Sequence, residues 1–381
     1  MTYKYLFILG RNPELSFAEL KAVLGVREAS KKENAVLIEL SEKLDETFIE
    51  RLGGTIAIGE VMSYGGVDEV IAGLEKQHLY RGTKNKLNYV LWDFTDRSSI
   101  SKISDYMKKR FRTEKLKATE KHISGHIKTQ DDKIFVNLTY SRLIDEQFFI
   151  FKKTGNEKGY AFGRIIQRCN YEDIEKRDMG KPVRRSELSI SPKLAKIMIN
   201  LSGISQGEVL LDPFCGIGVF LFEALLQGMD VIGVDNNKDA VEGAKRNLKW
   251  GNFPLDTYRL ILDDSRNVRV GKFNAIATEP DLGEILRKVP TKEKAEAILR
   301  GFEGLMIGVI NNLSKDFVDE KKGRIVFSAP LIQVILGSQG KRLGCDINRI
   351  LSSTGMRLIA GGFPEFRKDQ LVGREIFVIG R

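Results

Sequence analysis

Apolar and polar positions follow two different rhythms along this chain, and the rhythm changes near residue 190. Beyond it, short and largely apolar runs recur, and the first four stop at a carboxylate. Val209, Leu210 and Leu211 run into Asp212. Val231, Ile232 and Val234 run into Asp235. The run at 258–262 ends in Asp263, Asp264 and Ser265, and that at 273–278 ends in Glu279. Apolar runs of this length predict strands buried on both faces, as in a parallel sheet. Helix-period segments lie between them, at 219–226 and 294–313. Further runs at 323–327, 356–360 and 375–379, with a helix over 347–353, complete the alternation. The pattern predicts a Rossmann-like α/β sheet of seven strands, closed by a hairpin that makes the last strand antiparallel.

Before residue 190 the segments read as two α+β modules. In 1–75, strands at 5–9, 35–38 and 56–62 alternate with helices at 13–24 and 46–52, a ferredoxin-like order. Asn12 is the expected cap of the first helix, with Pro13 at its first position. In 76–170, a strand at 87–94 precedes a helix over 100–119 that buries Phe111 and Leu116, and 135–140 and 147–153 read as a hairpin. A polar connector at 171–190 separates these modules from the α/β domain at 191–381. That domain opens on a helix capped by Ser191 with Pro192 first inside.

Charge adds a partner to this picture. Lys and Arg number 61 against 51 acidic residues, a net +10 that suggests a polyanion. Lys108, Lys109, Arg110, Arg112, Lys115 and Lys117 crowd the 100–119 helix, and Arg184 and Arg185 close the connector. This is the expected phosphate-contacting surface, set against the alternative of a merely solvated helix face. The three cysteines have neither metal-ligand nor redox spacing, so no metal site is expected. All three histidines precede residue 130, which leaves the α/β domain without one for acid–base work. No run reaches membrane-spanning length and 5–9 is too short for a signal-peptide core, so a cytoplasmic protein, acting as a monomer and away from membranes, is expected.

The chemistry concentrates at the strand ends. The turn Asp212-Pro213-Phe214-Cys215-Gly216-Ile217-Gly218 joins strand to helix as in nucleotide-binding folds. A dinucleotide fingerprint needs a third glycine where this chain has Leu221, and Asp212 would repel a phosphate. A cationic ligand without phosphate fits better, and S-adenosylmethionine (SAM) is one. Asp235 is the expected ribose partner, and Asp263 and Asp264 face the adenine. Phe214, Gly216, Gly218, Asn236 and Pro192 complete the cofactor set with Asp212. At the fourth strand end, Glu279 and the Pro280 carbonyl are acceptors suited to the N–H bonds of an exocyclic nucleobase amine, with Asp281 as a further acceptor or base.

These segments resemble the THUMP-containing tRNA guanosine-10 N2-methyltransferases. The likeness rests on Tyr5-Leu6-Phe7-Ile8-Leu9-Gly10-Arg11-Asn12-Pro13-Glu14-Leu15, on Arg177-Asp178-Met179-Gly180-Lys181-Pro182, on Ser191-Pro192-Lys193-Leu194-Ala195 and on the turn at Asp212, where Ile217 replaces a usual Thr. It implies a ferredoxin-like domain, a THUMP domain that grips the acceptor end of tRNA, and a SAM-dependent methyltransferase domain acting on guanine N2. One motif departs. The family's Asp-Pro-Pro-Tyr is here Glu279-Pro280-Asp281-Leu282, followed by Gly283. The acceptor is a methylene longer, and Leu282 replaces the aromatic that would stack on a flipped base, an interaction worth about 1–3 kcal/mol. Phe363 or Phe366 is the expected substitute for that ring. The alternatives are a tRNA-binding homologue that has lost turnover, an N-methyltransferase acting on another amine, and an oxidoreductase, which Asp212 and Leu221 disfavour. A covalent route of the kind used for pyrimidine carbon 5 would need a thiol such as Cys215.

Overall fold

The computed structural model describes residues 2–27, 29–95, 100–121, 126–128, 134–136, 143–153, 159–184, 190–336, 339–367 and 369–381. The chain forms two compact units, Met1–Asn170 and Tyr171–Arg381.

The first unit contains β1 (Tyr3–Leu9), α1 (Pro13–Leu24), β2 (Ser30–Lys32), β3 (Ala35–Leu40), β4 (Thr55–Gly65), α2 (Val67–Leu74), β5 (Lys86–Phe94), α3 (Ile100–Thr113), β6 (Lys117–Glu120), β7 (His126–Lys128), β8 (Ile134–Val136), β9 (Glu146–Lys152) and β10 (Tyr160–Arg168). The segments expected as two modules share one eight-stranded sheet, ordered β2-β3-β1-β4-β10-β9-β5-β6, because β10 pairs with β4. Asn12 caps α1 by accepting from the Leu15 amide at 3.2 Å.

Three sequence expectations are corrected here. The segment at 46–52 makes only a short 3-10 turn, Phe48–Arg51, because it is too short to propagate a helix. The 100–119 helix stops at Thr113, and Lys115 takes a left-handed φ of 59° that turns the chain into β6. The expected hairpin partners separate. β8 pairs with β7, while β9 pairs with β10 and lies parallel to β5. Residues 137–140 of that expected hairpin lie outside the described residues.

The second unit begins inside the expected connector, with α4 (Tyr171–Met179). It continues with α5 (Pro192–Leu201), β11 (Val209–Asp212), α6 (Val219–Leu226), β12 (Asp230–Asp235), α7 (Lys238–Trp250), β13 (Tyr258–Leu262), β14 (Ala275–Thr278), α8 (Lys292–Leu313), β15 (Arg324–Leu336), β16 (Gln339–Leu343), α9 (Ile347–Thr354), β17 (Arg357–Glu365) and β18 (Val372–Gly380). Arg177 of α4 and Lys196 of α5 both reach the buried Glu223 of α6, which ties the connector to the domain.

The main sheet is ordered β13-β12-β11-β14-β15-β18-β17, and β18 runs antiparallel to both its neighbours. The predicted doubly wound sheet is thus borne out. One strand was underestimated: the run expected at 323–327 continues to Leu336 and folds back as β16. Pro330 suggests a strand end in the sequence. In the fold it pairs in register with Arg374 of β18. The core lies between Ile276, Phe327 and Phe377 of the sheet and Phe302, Met306 and Ile310 of α8. Each such side chain contributes roughly 1.5–3 kcal/mol by leaving water. This packing fixes where the strands lie and so where their ends open. Among the described residues, no helix is long and apolar enough to cross a membrane.

Candidate active site

Four parallel strands deliver their carboxyl ends to one cavity of about 820 Å³. It lies where chain order reverses between β11 and β14, the place where open α/β sheets bind ligands.

Asp212 ends β11 and is 1% exposed. Its Oδ1 accepts from Thr278 Oγ1 at 2.5 Å and from the Phe214 amide at 3.1 Å. Its Oδ2 is buried without a partner. Desolvation pushes the carboxyl up to about 7, against the pull of those two hydrogen bonds. A buried carboxylate oxygen seldom stays unpaired, so a partner reaching it from the cavity side would satisfy it. A cation suits it, because a positive charge would offset the desolvation of the carboxylate.

The two turn glycines do different work. Gly216 has φ +53°, and a Cβ there would meet nothing within 4 Å, so the cavity is open beside it. Gly218 has φ +86°, and its Cβ would stand 3.3 Å from Ala244. Gly218 therefore serves the packing of α6 on α7 and is not on the cavity wall. Leu221, in the place of a third glycine, is accommodated by Gly233, where a Cβ would lie 2.6 Å from Leu221 Cδ1.

Asp235, at the end of β12, braces the turn. Its Oδ2 accepts from the Gly216 amide and its Oδ1 from the Asn237 amide, both at 2.9 Å. Each carboxylate oxygen can accept twice, so ribose hydroxyls can still be bound. Phe214, Asn236, Asp263 and Asp264 also line the cavity. The Asp263 amide bonds the Asp235 carbonyl at 3.1 Å, which fixes the end of β13. Asp264 is ion-paired with Arg266 at 2.5 Å, and this hydrogen bonding holds its carboxyl below the usual range. Asp263 is then the freer acceptor for an adenine amine. Pro192 is corrected: it is buried at the start of α5 and off the wall, where Ile190 stands instead.

The end of β14 carries Glu279, Pro280 and Asp281, all on the cavity. Asp281 is exposed, and its Oδ1 accepts from the Gly283 amide at 3.0 Å. Glu279 is held by a residue that the sequence reading missed. Arg374 of β18 donates from Nε to Oε1 and from Nη2 to Oε2, the latter at 3.2 Å. Burial acts to lower the pKa of Arg374, yet bonding to Glu279 leaves it raised. The available signal was a cation, Arg374, just before the strand expected at 375–379. Neither Phe363 nor Phe366 lines the cavity, which corrects the expectation of a substitute ring. The Arg342 guanidinium covers the Phe366 ring at 4.0 Å. Leu282, Ile285 and Leu371 are apolar members of the wall. Burial pushes the Cys215 thiol well above its usual range, where it stays protonated and unsuited to nucleophilic attack.

The expected RNA-contacting residues are not all equivalent. Lys109, Arg112, Lys115 and Lys117 are exposed. Lys108 pairs with Glu120 at 3.2 Å. Arg110 pairs with Glu114 at 2.6 Å and donates to the Leu74, Glu75 and Gln77 carbonyls at the end of α2. Arg184 is exposed against Met179, and Arg185 lies outside the described residues.

Carboxylates from four strand ends line this switch-point cavity, and Asp212 keeps one buried oxygen unpaired. Unit 2 is a SAM-dependent methyltransferase domain. Residues 182–303 match the family described as RMKL-like, methyltransferase domain. The chain is 41% identical over 115 residues to the tRNA (guanine(10)-N2)-dimethyltransferase of Methanothermobacter thermautotrophicus, covering 30% of this chain and 33% of that one. It is 29% identical over 287 residues to the enzyme of the same name from Pyrococcus abyssi, covering 73% and 78%. A relative from Methanothermococcus thermolithotrophicus, named "Probable tRNA (guanine(10)-N2)-dimethyltransferase", is 33% identical over 144 residues, 36% of this chain and 79% of that sequence. The chain thus spans a third of the first relative and more than three-quarters of the other two. The crystal structure of TrmN from Thermus thermophilus shares the fold, with a TM-score of 0.52 over 100% of both chains at 12% identity. The chain belongs to the tRNA (guanine(10)-N2)-dimethyltransferase family.

Proposed function

We propose that this chain transfers methyl groups from SAM to the exocyclic N2 of guanosine 10 in tRNA, as a monomer in the cytoplasm. The carrying observation is the pairing of the orphaned Asp212 Oδ2 with the acceptor group at Glu279 and Pro280 on one cavity wall. When bound, SAM supplies an electrophilic methyl group on a sulfonium. Asp212 receives the cationic tail, Asp235 the ribose and Asp263 the adenine edge. Glu279 and the Pro280 carbonyl take N–H bonds of the flipped guanine amine. Those bonds aim the nitrogen lone pair, which is otherwise delocalised into the ring, and attack then needs no covalent intermediate. The proton lost afterwards passes to a cavity carboxylate or to water. Leu282 and Ile285 offer the base an aliphatic face where the resembled family has an aromatic ring. Unit 1, read as the THUMP-bearing part, supplies tRNA affinity through exposed Lys109, Arg112 and Lys115, which neutralise phosphates without reading sequence.

The Glu279–Arg374 pair also favours a second reading, a tRNA-binding homologue whose acceptor is already occupied. One experiment separates the two. Unmodified tRNA is incubated with the protein and SAM, digested, and its nucleosides resolved by mass spectrometry. The proposed activity yields N2-methylated guanosine that maps to position 10. Calorimetric SAM binding without any methylated nucleoside selects the second reading.

A further inference from the structure

Glu279 stands where the resembled family's motif has Asp, and the fold shows what the added methylene reaches. β14, β15 and β18 lie side by side. Strands two apart are separated by about 10 Å, too far for short side chains to meet. Glu279 and Arg374 span that gap from the outer strands, above the small, buried Ser328 of β15. Ser328 Oγ donates to Glu279 Oε1 at 3.2 Å, and the guanidinium of Arg374 grips both carboxylate oxygens. Both side chains border the cavity, with 11% of Glu279 and 16% of Arg374 exposed.

We propose that Arg374 is a positioning residue of the transfer site, holding Glu279 so that Oε2 alone offers a lone pair to the target amine. This rests on the function proposed above. A carboxylate oxygen accepts about two hydrogen bonds. Arg374 Nε and Ser328 Oγ fill Oε1, whereas Arg374 Nη2 takes one place on Oε2 and leaves one. Glu279 therefore receives one N–H of the amine, and the Pro280 carbonyl is left for the other. One acceptor per N–H sets the direction of the nitrogen lone pair. The planar fork of arginine fixes the carboxylate in two places, which a lysine ammonium does not do.

The test is a double-mutant cycle on tRNA methylation with Glu279→Ala, Arg374→Ala and the double variant, with SAM affinity measured by calorimetry for each. Misplacing a reacting group by about 1 Å costs about a hundredfold. Arg374→Ala is therefore expected to lower kcat about a hundredfold with SAM affinity unchanged. Arg374→Lys should recover part of the loss, and the double variant should be no slower than Glu279→Ala. Losses that multiply in the double variant, or wild-type kcat in Arg374→Ala, overturn the proposal. If Arg374→Ala fails to bind SAM, Arg374→Lys carries the same test, with reduced kcat at unchanged SAM affinity expected. If wild-type protein binds SAM but methylates no tRNA, the proposed function fails instead. Where the wild type does methylate tRNA, crystals of Arg374→Lys and wild type add a second readout: a displaced or dispersed Glu279 carboxylate supports the positioning role, and an unmoved one overturns it.

Discussion

Asp212→Asn is expected to weaken SAM binding by about ten- to a hundredfold, as befits a charge-assisted hydrogen bond worth about 1.5–3 kcal/mol. The asparagine can keep the bonds from Thr278 and Phe214 at Oδ1 but turns an amide toward the cation. The same change is expected to stabilise the ligand-free chain above pH 7. Burial raises this carboxyl from 3.8 to about 7 in the folded state, so the folded chain holds the proton more tightly than the unfolded one. Its contribution favours folding fully below about pH 4 and is lost as the pH rises to about 7, a swing of order 2–4 kcal/mol. Removing the carboxyl removes that pH-dependent loss. Thermal unfolding at pH 5 and pH 8, together with SAM calorimetry, checks both halves. Unchanged SAM affinity in the variant excludes Asp212 from the donor site.

Glu279→Ala is expected to cut methyl transfer about a hundred- to a thousandfold while leaving SAM affinity intact, the scale on which one preorganised polar contact acts. Truncation also strands the guanidinium of Arg374, and breaking a buried pair costs about 3–5 kcal/mol. Glu279→Gln is therefore assayed beside it, since the amide retains an acceptor and similar volume. Single-turnover rates on tRNA measure the effect, and melting temperature and SAM affinity confirm folding. Undiminished turnover in both variants would take Glu279 out of the mechanism.

The sheet and the donor side of the site were legible because their signals are local. An apolar run ending in Asp212, then Gly216 and Gly218, spells out strand, turn and helix within ten residues. Asp235 and Asp263 repeat the strand-end pattern. Ser191 with Pro192 announces a helix start, although the helix then buries Pro192 away from the cavity. The acceptor side was only half legible. Glu279 and Arg374 are 95 positions apart and meet across an intervening strand. No spacing rule reveals that before the order of β15 and β18 is known. The end of α3 was hidden for another reason. Lys115 takes a left-handed turn without the glycine that usually marks one. Pro330 concealed the second half of β15 because strand interiors seldom contain proline. Phe366 lies off the cavity with the Arg342 guanidinium over its ring, an arrangement that no local pattern reveals.

The claim beneath all of this is that one crevice seats a positively charged donor beside acceptors for an aromatic amine. A crystal structure of the protein with S-adenosylhomocysteine, the demethylated donor, tests it most directly. The account predicts the amino group within hydrogen-bond distance of Asp212 Oδ2, the ribose on Asp235, and the sulfur facing Glu279 and Pro280. A ligand bound elsewhere, or a crevice that stays empty at saturating ligand, would contradict it.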